Sequence, residues 1–235
     1  MLAGGSGEGQ AAEAGSRARS AVLCSAGLDS VVLVALLART SMVLPLYVKV
    51  GLAWERAEQE ALAGLLASPP FAGSVQPAVT LSLDMSDLYP STHWAVRGTP
   101  PAYDTPDDDV YIVGRNVVLL TKAAICCAYR QIPRLAIGPL AGNPFPDATP
   151  EFFAAIASTA SRALRADLEV VAPYRELSKA EVVRRGADLP LEHTLSCLSP
   201  TTDGRHCGNC NKCRERAEAF AAAGVPDRTD YARTR

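Results

Sequence analysis

Short apolar runs rich in β-branched residues alternate along this chain with longer Leu/Ala-rich stretches of helical period. The run at 20–24 predicts a strand, and 29–39 a helix. A second strand is expected over 42–50. A second helix, 54–67, is closed by Pro69 and Pro70. The third strand falls at 75–83, the fourth at 134–138 and the fifth at 168–172. Helices fill 117–129, 151–164 and 180–185. Strand–helix alternation at these spacings predicts an α/β fold: a parallel sheet with helices on both faces and ligands beyond the carboxyl ends of the strands. Residues 84–110 fit neither period and predict a long irregular loop. Its acids, Asp107 to Asp109, could approach a metal but read rather as a solvated loop, and His93 as a surface residue.

Length and charge narrow the class. The 235 residues suit one large domain with a small addition, and 48% are hydrophobic. Three segments are expected: a disordered tail over 1–19, an α/β domain over 20–190, and a C-terminal metal segment with a helix over 191–235. The formal charge of −2 argues against a dominant nucleic-acid surface. No apolar run is long enough to span a membrane, and the Gly/Ala/Ser/Glu/Arg start lacks the apolar centre of a secretion signal. The expected compartment is the cytoplasm, where seven cysteines suggest metal ligands or buried thiols rather than disulfides.

The first strand runs into Ser25-Ala26-Gly27-Leu28-Asp29-Ser30, and a helix begins at once. Small residues let the backbone approach a ligand, and a helix start presents unpaired N–H groups with partial positive charge. Together they form a phosphate or pyrophosphate site. The bland alternative is an ordinary turn capped by Asp29 or Ser30. Neither the Walker Gly-Lys-Ser/Thr ending nor three spaced glycines are present.

Two cations stand where helix electrostatics disfavours them. Arg115, in Gly114-Arg115-Asn116, lies at a helix start, and so does Lys179 after the expected cap Ser178. An anionic ligand accounts for both; a salt bridge serves Arg115 equally well. The loop after the fourth strand offers Asn143, Phe145 and Asp147 as an amide, a stacking ring and a carboxylate. Asp147 or Thr149 also suits a helix cap. Cys126 and Cys127 point to different sides of a helix and read as core thiols.

Cys197-x9-Cys207-x2-Cys210-x2-Cys213 is the most specific feature. Four thiolates at this spacing suit a closed, structural, tetrahedral Zn²⁺ site. An iron–sulfur cluster accepts the same ligands. His206 is an adjacent alternative ligand, and Lys212, Arg214 and Arg216 offset the thiolate charge or face a phosphate.

The first loop resembles the Ser-Gly-Gly-x-Asp-Ser pyrophosphate loop (PP-loop) of ATP pyrophosphatases, with Ala26 in place of a glycine. With Gly114-Arg-Asn116, Leu177-Ser-Lys179, and Ser196-Cys197 followed by Cys-Gly-x-Cys-x-x-Cys-x-x-Arg and Phe220, the chain resembles the 7-cyano-7-deazaguanine (preQ0) synthases over about 20–221. That resemblance implies an adenine nucleotide α-hydrolase-like fold, a homodimer and an AMP-forming C–N ligase. Its reaction converts 7-carboxy-7-deazaguanine and ammonia to the nitrile through adenylated intermediates, a step of queuosine biosynthesis. It implies that Cys24, Ser25, Ala26, Gly27, Leu28, Asp29, Ser30, Val48, Gly114, Arg115, Asn116 and Lys179 surround ATP. Asp29, acting through Mg²⁺, and Arg115 and Lys179 would do the catalytic work. Asn143, Phe145 and Asp147 would meet the substrate, and Cys197, Cys207, Cys210 and Cys213 the zinc.

The family usually carries Tyr-Pro-Asp-Cys-Arg where this chain has Phe145-Pro-Asp-Ala-Thr149, and 84–110 also looks unlike it. A related ligase adenylating another acceptor (a modified nucleobase, tRNA or protein) is therefore an alternative. A sulfur-transferring PP-loop enzyme acting on tRNA would favour a basic surface. A non-enzymatic zinc-ribbon module would need neither the loop nor Arg115 and Lys179.

Overall fold

The structure, a computed structural model, describes residues 18–233. Five strands form one parallel sheet: β1 (Ala18–Leu23), β2 (Ser41–Lys49), β3 (Val79–Ser82), β4 (Arg134–Ala136) and β5 (Glu169–Val171). Their order is β3-β2-β1-β4-β5. The connecting helices are α1 (Leu28–Ala38), α2 (Glu55–Ala67), a single turn α3 (Trp94–Arg97), α4 (Arg115–Tyr129), α5 (Pro150–Leu164) and α6 (Lys179–Arg185). A last helix, α7 (Asn211–Ala223), follows the cysteine segment and packs beside α6.

Strand alternation divides the core in two. Ala21, Leu23, Leu44, Leu46, Val48 and Leu135 face one side, against Leu120, Ala123, Ala124 and Cys127 of α4 and Phe153 of α5. Val22, Cys24, Val43, Tyr47 and Ala136 face the other, against α1, α2, α6 and α7. Successive side chains of a strand point to opposite faces, so continuous apolar strands require helices on both. The strand order reverses at β1, which opens a crevice beyond the carboxyl ends of β1 and β4.

Several expected boundaries move. β1 starts at Ala18, inside the stretch expected as a tail; the remainder of that tail, 1–17, lies outside the described residues. β3 is shorter than 75–83. Val75 makes an isolated bridge to Val43, and Pro77 has no N–H with which to continue a ladder. The stretch 110–116 reads in the sequence as extended into a Gly-Arg-Asn turn; in the structure a 3₁₀ turn takes in Asp107–Val110, and α4 begins at Arg115 rather than 117. His93 is no free surface residue. Its Nδ1 accepts the Ala95 N–H at 3.3 Å and caps α3. Among the described residues no helix is long and apolar enough to cross a membrane.

Candidate active site

The β1–α1 turn is built to leave donors open. Gly27 is the N-cap of α1 and no side chain caps it. Ser30 turns inward: its hydroxyl donates to the Gly27 carbonyl at 2.9 Å and accepts from the Ser25 N–H at 3.3 Å. Asp29 is drawn sideways by Lys179 instead of capping. The capped-turn alternative therefore fails, and the helix start keeps the free N–H groups that binding an anion would require. Ala26 adopts φ 63° and is fully buried, and its carbonyl accepts the Leu195 N–H at 2.9 Å. A positive φ is why glycine suits this position.

A cavity of about 310 Å³ opens over this turn, at the small end of ligand-pocket size. It is lined by Cys24, Ser25, Gly27, Leu28, Asp29, Ser30, Val48, Arg115, Asn116 and Lys179, all among the residues expected around ATP. Ala26 and Gly114, also expected around ATP, do not line it: Ala26 is buried and its carbonyl holds the Leu195 N–H, and Gly114, at φ 75°, is the N-cap of α4. Cys24 is buried just past the end of β1 with its Sγ 3.6 Å from Ser30 Oγ, and burial pushes its thiol pKa up. A protonated, buried thiol is a poor nucleophile.

The two unexpected cations both reach the cavity. Arg115 has a buried Nε with no hydrogen-bond partner. A guanidinium N–H held there without an acceptor is matched to an incoming anion. Lys179 Nζ lies 3.0 Å from Asp29 Oδ2 and 2.9 Å from Glu215 Oε1. Burial alone would lower its pKa; the carboxylates of Asp29 and Glu215 outweigh that, and the net shift is upward. Lys179 is therefore a fixed positive charge. Asp29 Oδ1 is buried and unpartnered, an open carboxylate oxygen that fits a hard cation such as Mg²⁺.

The loop after β4 closes the opposite wall. Phe145 stacks on Tyr111 with ring centroids 5.0 Å apart, and Asn143 Oδ1 accepts the Phe145 N–H at 3.0 Å. Asp147, 6% exposed, accepts the Asn116 N–H at 3.1 Å and its Nδ2 at 3.3 Å. It thus caps α4, while Thr149 caps α5 through the Phe152 N–H at 3.2 Å. Asn143, Phe145 and Asp147 all line the cavity.

The four cysteines of the C-terminal segment converge. Their sulfurs lie within 4.8 Å of one another, with Cys197–Cys210 at 4.0 Å, Cys207–Cys213 at 3.9 Å and Cys210–Cys213 at 3.5 Å. Thiolates about 2.3 Å from a tetrahedral zinc stand roughly 3.8 Å apart, so the set fits a closed metal site. Backbone N–H groups of Ser199 and Cys207 point at Cys197 Sγ, both at 3.3 Å, as donors that offset thiolate charge. Gly208 has φ 71°, and a Cβ there would collide with the Arg233 carbonyl. His206 is not a ligand. Its Nε2 accepts the Ser196 N–H at 3.1 Å, and burial with the nearby Arg216 charge lowers its pKa to about 3.

The three basic residues beside the cysteines diverge. Lys212 reaches the cavity wall and pairs with Glu215 at 2.7 Å. Arg214 donates to the Thr105 carbonyl at 3.2 Å. Arg216 faces no phosphate. It is fully buried, donates to Thr194 Oγ1 at 2.8 Å and the Leu191 carbonyl at 2.6 Å, and lies 5.2 Å from the Phe220 ring centre. Through α7 the metal segment also holds the loop before α4: Asn211 Nδ2 donates to the Thr105 carbonyl at 2.8 Å and to Asp107 Oδ1 at 2.9 Å. Asp107 is thus anchored rather than merely solvated.

Residues 19–224 match the family described as queuosine biosynthesis protein QueC. The chain belongs to that family. It is 34% identical over 225 residues to the 7-cyano-7-deazaguanine synthase of Methanothrix thermoacetophila, an alignment covering 91% of this chain and 98% of that protein. It is 33% identical over 224 residues to the enzyme of the same name from Xanthomonas campestris pv. campestris, with the same coverage. Among solved structures, the U34-tRNA thiolase NcsA from Methanococcus maripaludis with its [4Fe-4S] cluster gives a TM-score of 0.47 at 13% identity, over 91% of this chain and 75% of that one.

Within this QueC-family cavity, sequence reasoning missed the wall made by Tyr47, Trp54, Glu55 and Glu58. Glu55 and Glu58 share a face of α2 with Leu62 and Leu65, and all four are buried. Carboxylates on the apolar face of an amphipathic helix were the available signal. Tyr111 and Glu215 were also missed; neither belongs to a periodic or motif pattern.

Proposed function

We propose that the protein uses ATP to convert 7-carboxy-7-deazaguanine and ammonia into 7-cyano-7-deazaguanine through adenylated intermediates. One observation carries this reading. An uncapped helix N-terminus, the unpartnered Arg115 Nε and the buried Lys179 meet in a single cavity. Such a set stabilises charge developing on phosphate and needs no nucleophilic side chain. The names of the relatives supply the acid and the product.

In this reading the open N–H groups of the turn and Ser25 hold the β- and γ-phosphates. The substrate carboxylate attacks the α-phosphorus; its C–O–P bond forms as the bond to pyrophosphate breaks. Arg115 and Lys179 take up the charge of the leaving pyrophosphate. Asp29, through its open Oδ1, holds the Mg²⁺ that accompanies ATP. Ammonia then displaces AMP to give the amide. A second adenylation, on the amide oxygen, sets up loss of AMP to form the nitrile. The Phe145–Tyr111 stack offers a flat apolar surface to the deazapurine ring. The four cysteines hold zinc in a structural role, away from the reacting atoms. Small molecules are the partners, and the enzyme works as a homodimer.

A second reading is favoured by the Phe145-Pro-Asp-Ala-Thr149 segment, which lies on the substrate wall and lacks the family's Cys and Arg. There the same adenylating machinery serves a different carboxylate or amide. Incubation with ATP, Mg²⁺, ammonium and 7-carboxy-7-deazaguanine, followed by mass spectrometry, separates the two. AMP with nitrile supports the synthase; no AMP above the acid-free control means this acid is not the substrate.

A further inference from the structure

Glu58 is a buried carboxylate on the wall of the cavity. It is 8% exposed, lines the cavity, and carries no backbone duty. Its neighbour Glu55 differs: Glu55 Oε1 accepts the N–H groups of Val50 and Gly51 and fixes the turn after β2. Glu58 Oε2 instead accepts the Tyr47 hydroxyl at 2.7 Å, and the Trp54 indole N–H donates to the same carboxylate. Two donors from β2 and the start of α2 aim the group and leave acceptor capacity toward the cavity. A carboxylate there is adverse to ATP phosphates. It suits a cation or a proton donor.

The reaction requires such a donor. Ammonia is held as ammonium at neutral pH, and ammonium has no lone pair with which to attack an acyl adenylate. We propose that Glu58 is the proton acceptor for the incoming ammonium, a role that rests on the adenylation reading above. The ammonium gives one proton to the Glu58 carboxylate. The freed nitrogen lone pair forms the C–N bond, the C–O bond to AMP breaks, and AMP leaves with that electron pair. The amide nitrogen then sheds its second excess proton to solvent, and Glu58 returns its own proton by the same route.

The groups facing Glu58 come from every element around it. Tyr47 stands on β2, Trp54 caps α2 and Glu55 opens it, Arg115 faces it from α4 and Cys24 from the turn after β1. Burial pushes its carboxyl up, and Glu55 adds to this. Arg115, Tyr47 and Trp54 pull it down, and the balance is about 7. A general base works best with a pKa near the working pH.

The test compares two nucleophiles in the full-length enzyme. Hydroxylamine is uncharged at neutral pH and needs no proton acceptor before attack. Glu58→Gln keeps the shape and the acceptor for Tyr47 but cannot take a proton. We expect acid-dependent ATP–pyrophosphate exchange to persist in the variant. Ammonium-dependent product should fall roughly 10²-fold, with hydroxamate formation within a few-fold of the parent. Equal loss with both nucleophiles, or loss with neither, overturns the role of Glu58 while exchange still stands. Absence of exchange in the parent overturns the adenylation reading, and this role with it. Tyr47→Phe gives an independent check. Loss of its donor raises the Glu58 pKa, so the ascending limb of the ammonium-dependent pH profile moves to higher pH; an unmoved limb contradicts the proposal.

Discussion

Lys179 Nζ sits 3.0 Å from Asp29 Oδ2, a contact made across 150 positions of the chain. It ties the start of α6 to the start of α1, and Glu215 of α7 holds the same ammonium from the other side at 2.9 Å. Three helices are thereby fixed around one charge at the floor of the cavity. A lysine at the first position of a helix is unfavourable for that helix alone. Its two carboxylate partners explain how the position is kept, and the cavity explains why.

Lys179→Met should therefore separate two effects. Removing the lysine leaves Asp29 without its cation and Glu215 with Lys212 alone, at a cost of about 3 kcal/mol of stability. Acid-dependent AMP formation should fall about 10²- to 10³-fold at temperatures where the variant is still folded, since a preorganised charge in the transition state is lost. Circular dichroism establishes the fold, and AMP release the rate. Unchanged turnover would remove Lys179 from the chemistry.

Glu58 gives a pH signature in stability that does not depend on any reaction. Its folded carboxyl titrates near 7, against an ordinary value of 4.5. The folded state then binds more protons than the unfolded one between these values. The contribution of Glu58 is fully present below about pH 4.5 and is lost as pH rises through 7. The size is about 3 kcal/mol at most. Urea unfolding should show Glu58→Gln gaining stability relative to the parent between about pH 4 and pH 8. A constant difference across that window would contradict the assignment.

The metal segment should matter to the cavity as well as to the fold. Asn211, Lys212 and Glu215 all lie within or just after the cysteine cluster, and they hold Asp107, Thr105 and Lys179. Stripping metal with a strong chelator, or Cys210→Ser, should lower the melting temperature by several degrees, and acid-dependent AMP formation should be lost with it. Metal analysis of the native protein should give one zinc per chain; sulfide and iron in its place would mean a cluster.

Ala26 makes a smaller, cleaner prediction. It holds φ 63°, where a Cβ costs about 1 kcal/mol. Glycine relieves that strain but adds freedom to the unfolded chain, worth about 0.4–1 kcal/mol. Ala26→Gly should therefore change stability by less than about 1 kcal/mol and leave turnover at or above the parent level. A large loss would show that the methyl packs a contact the loop needs.

Much of this was visible before the fold. Continuous apolar strands and Leu/Ala helices specified the two-faced sheet, because burial on both sides leaves no polar alternation to misread. The Ser25–Ser30 turn, Arg115 and Lys179, which the structure gathers on one cavity, were singled out from local chemistry: small residues, and cations at the wrong helix end. The cysteines were found from spacing. What stayed hidden depends on tertiary contact. Glu55 and Glu58 looked like ordinary helix carboxylates until Tyr47 and Trp54 covered them. Asp147 looked like a cap for its own helix, yet it caps α4 from 31 positions away. Arg216 resembled a phosphate ligand because charge alone does not show that a residue is enclosed by Thr194, Ser196 and Leu191.

The decisive measurement follows the oxygen. With the substrate carboxylate labelled with ¹⁸O, attack on the α-phosphorus carries one labelled oxygen into AMP when ammonia displaces it. We expect labelled AMP in step with amide and nitrile. Product accompanied by unlabelled AMP, or by ADP and phosphate, would contradict activation through an acyl adenylate.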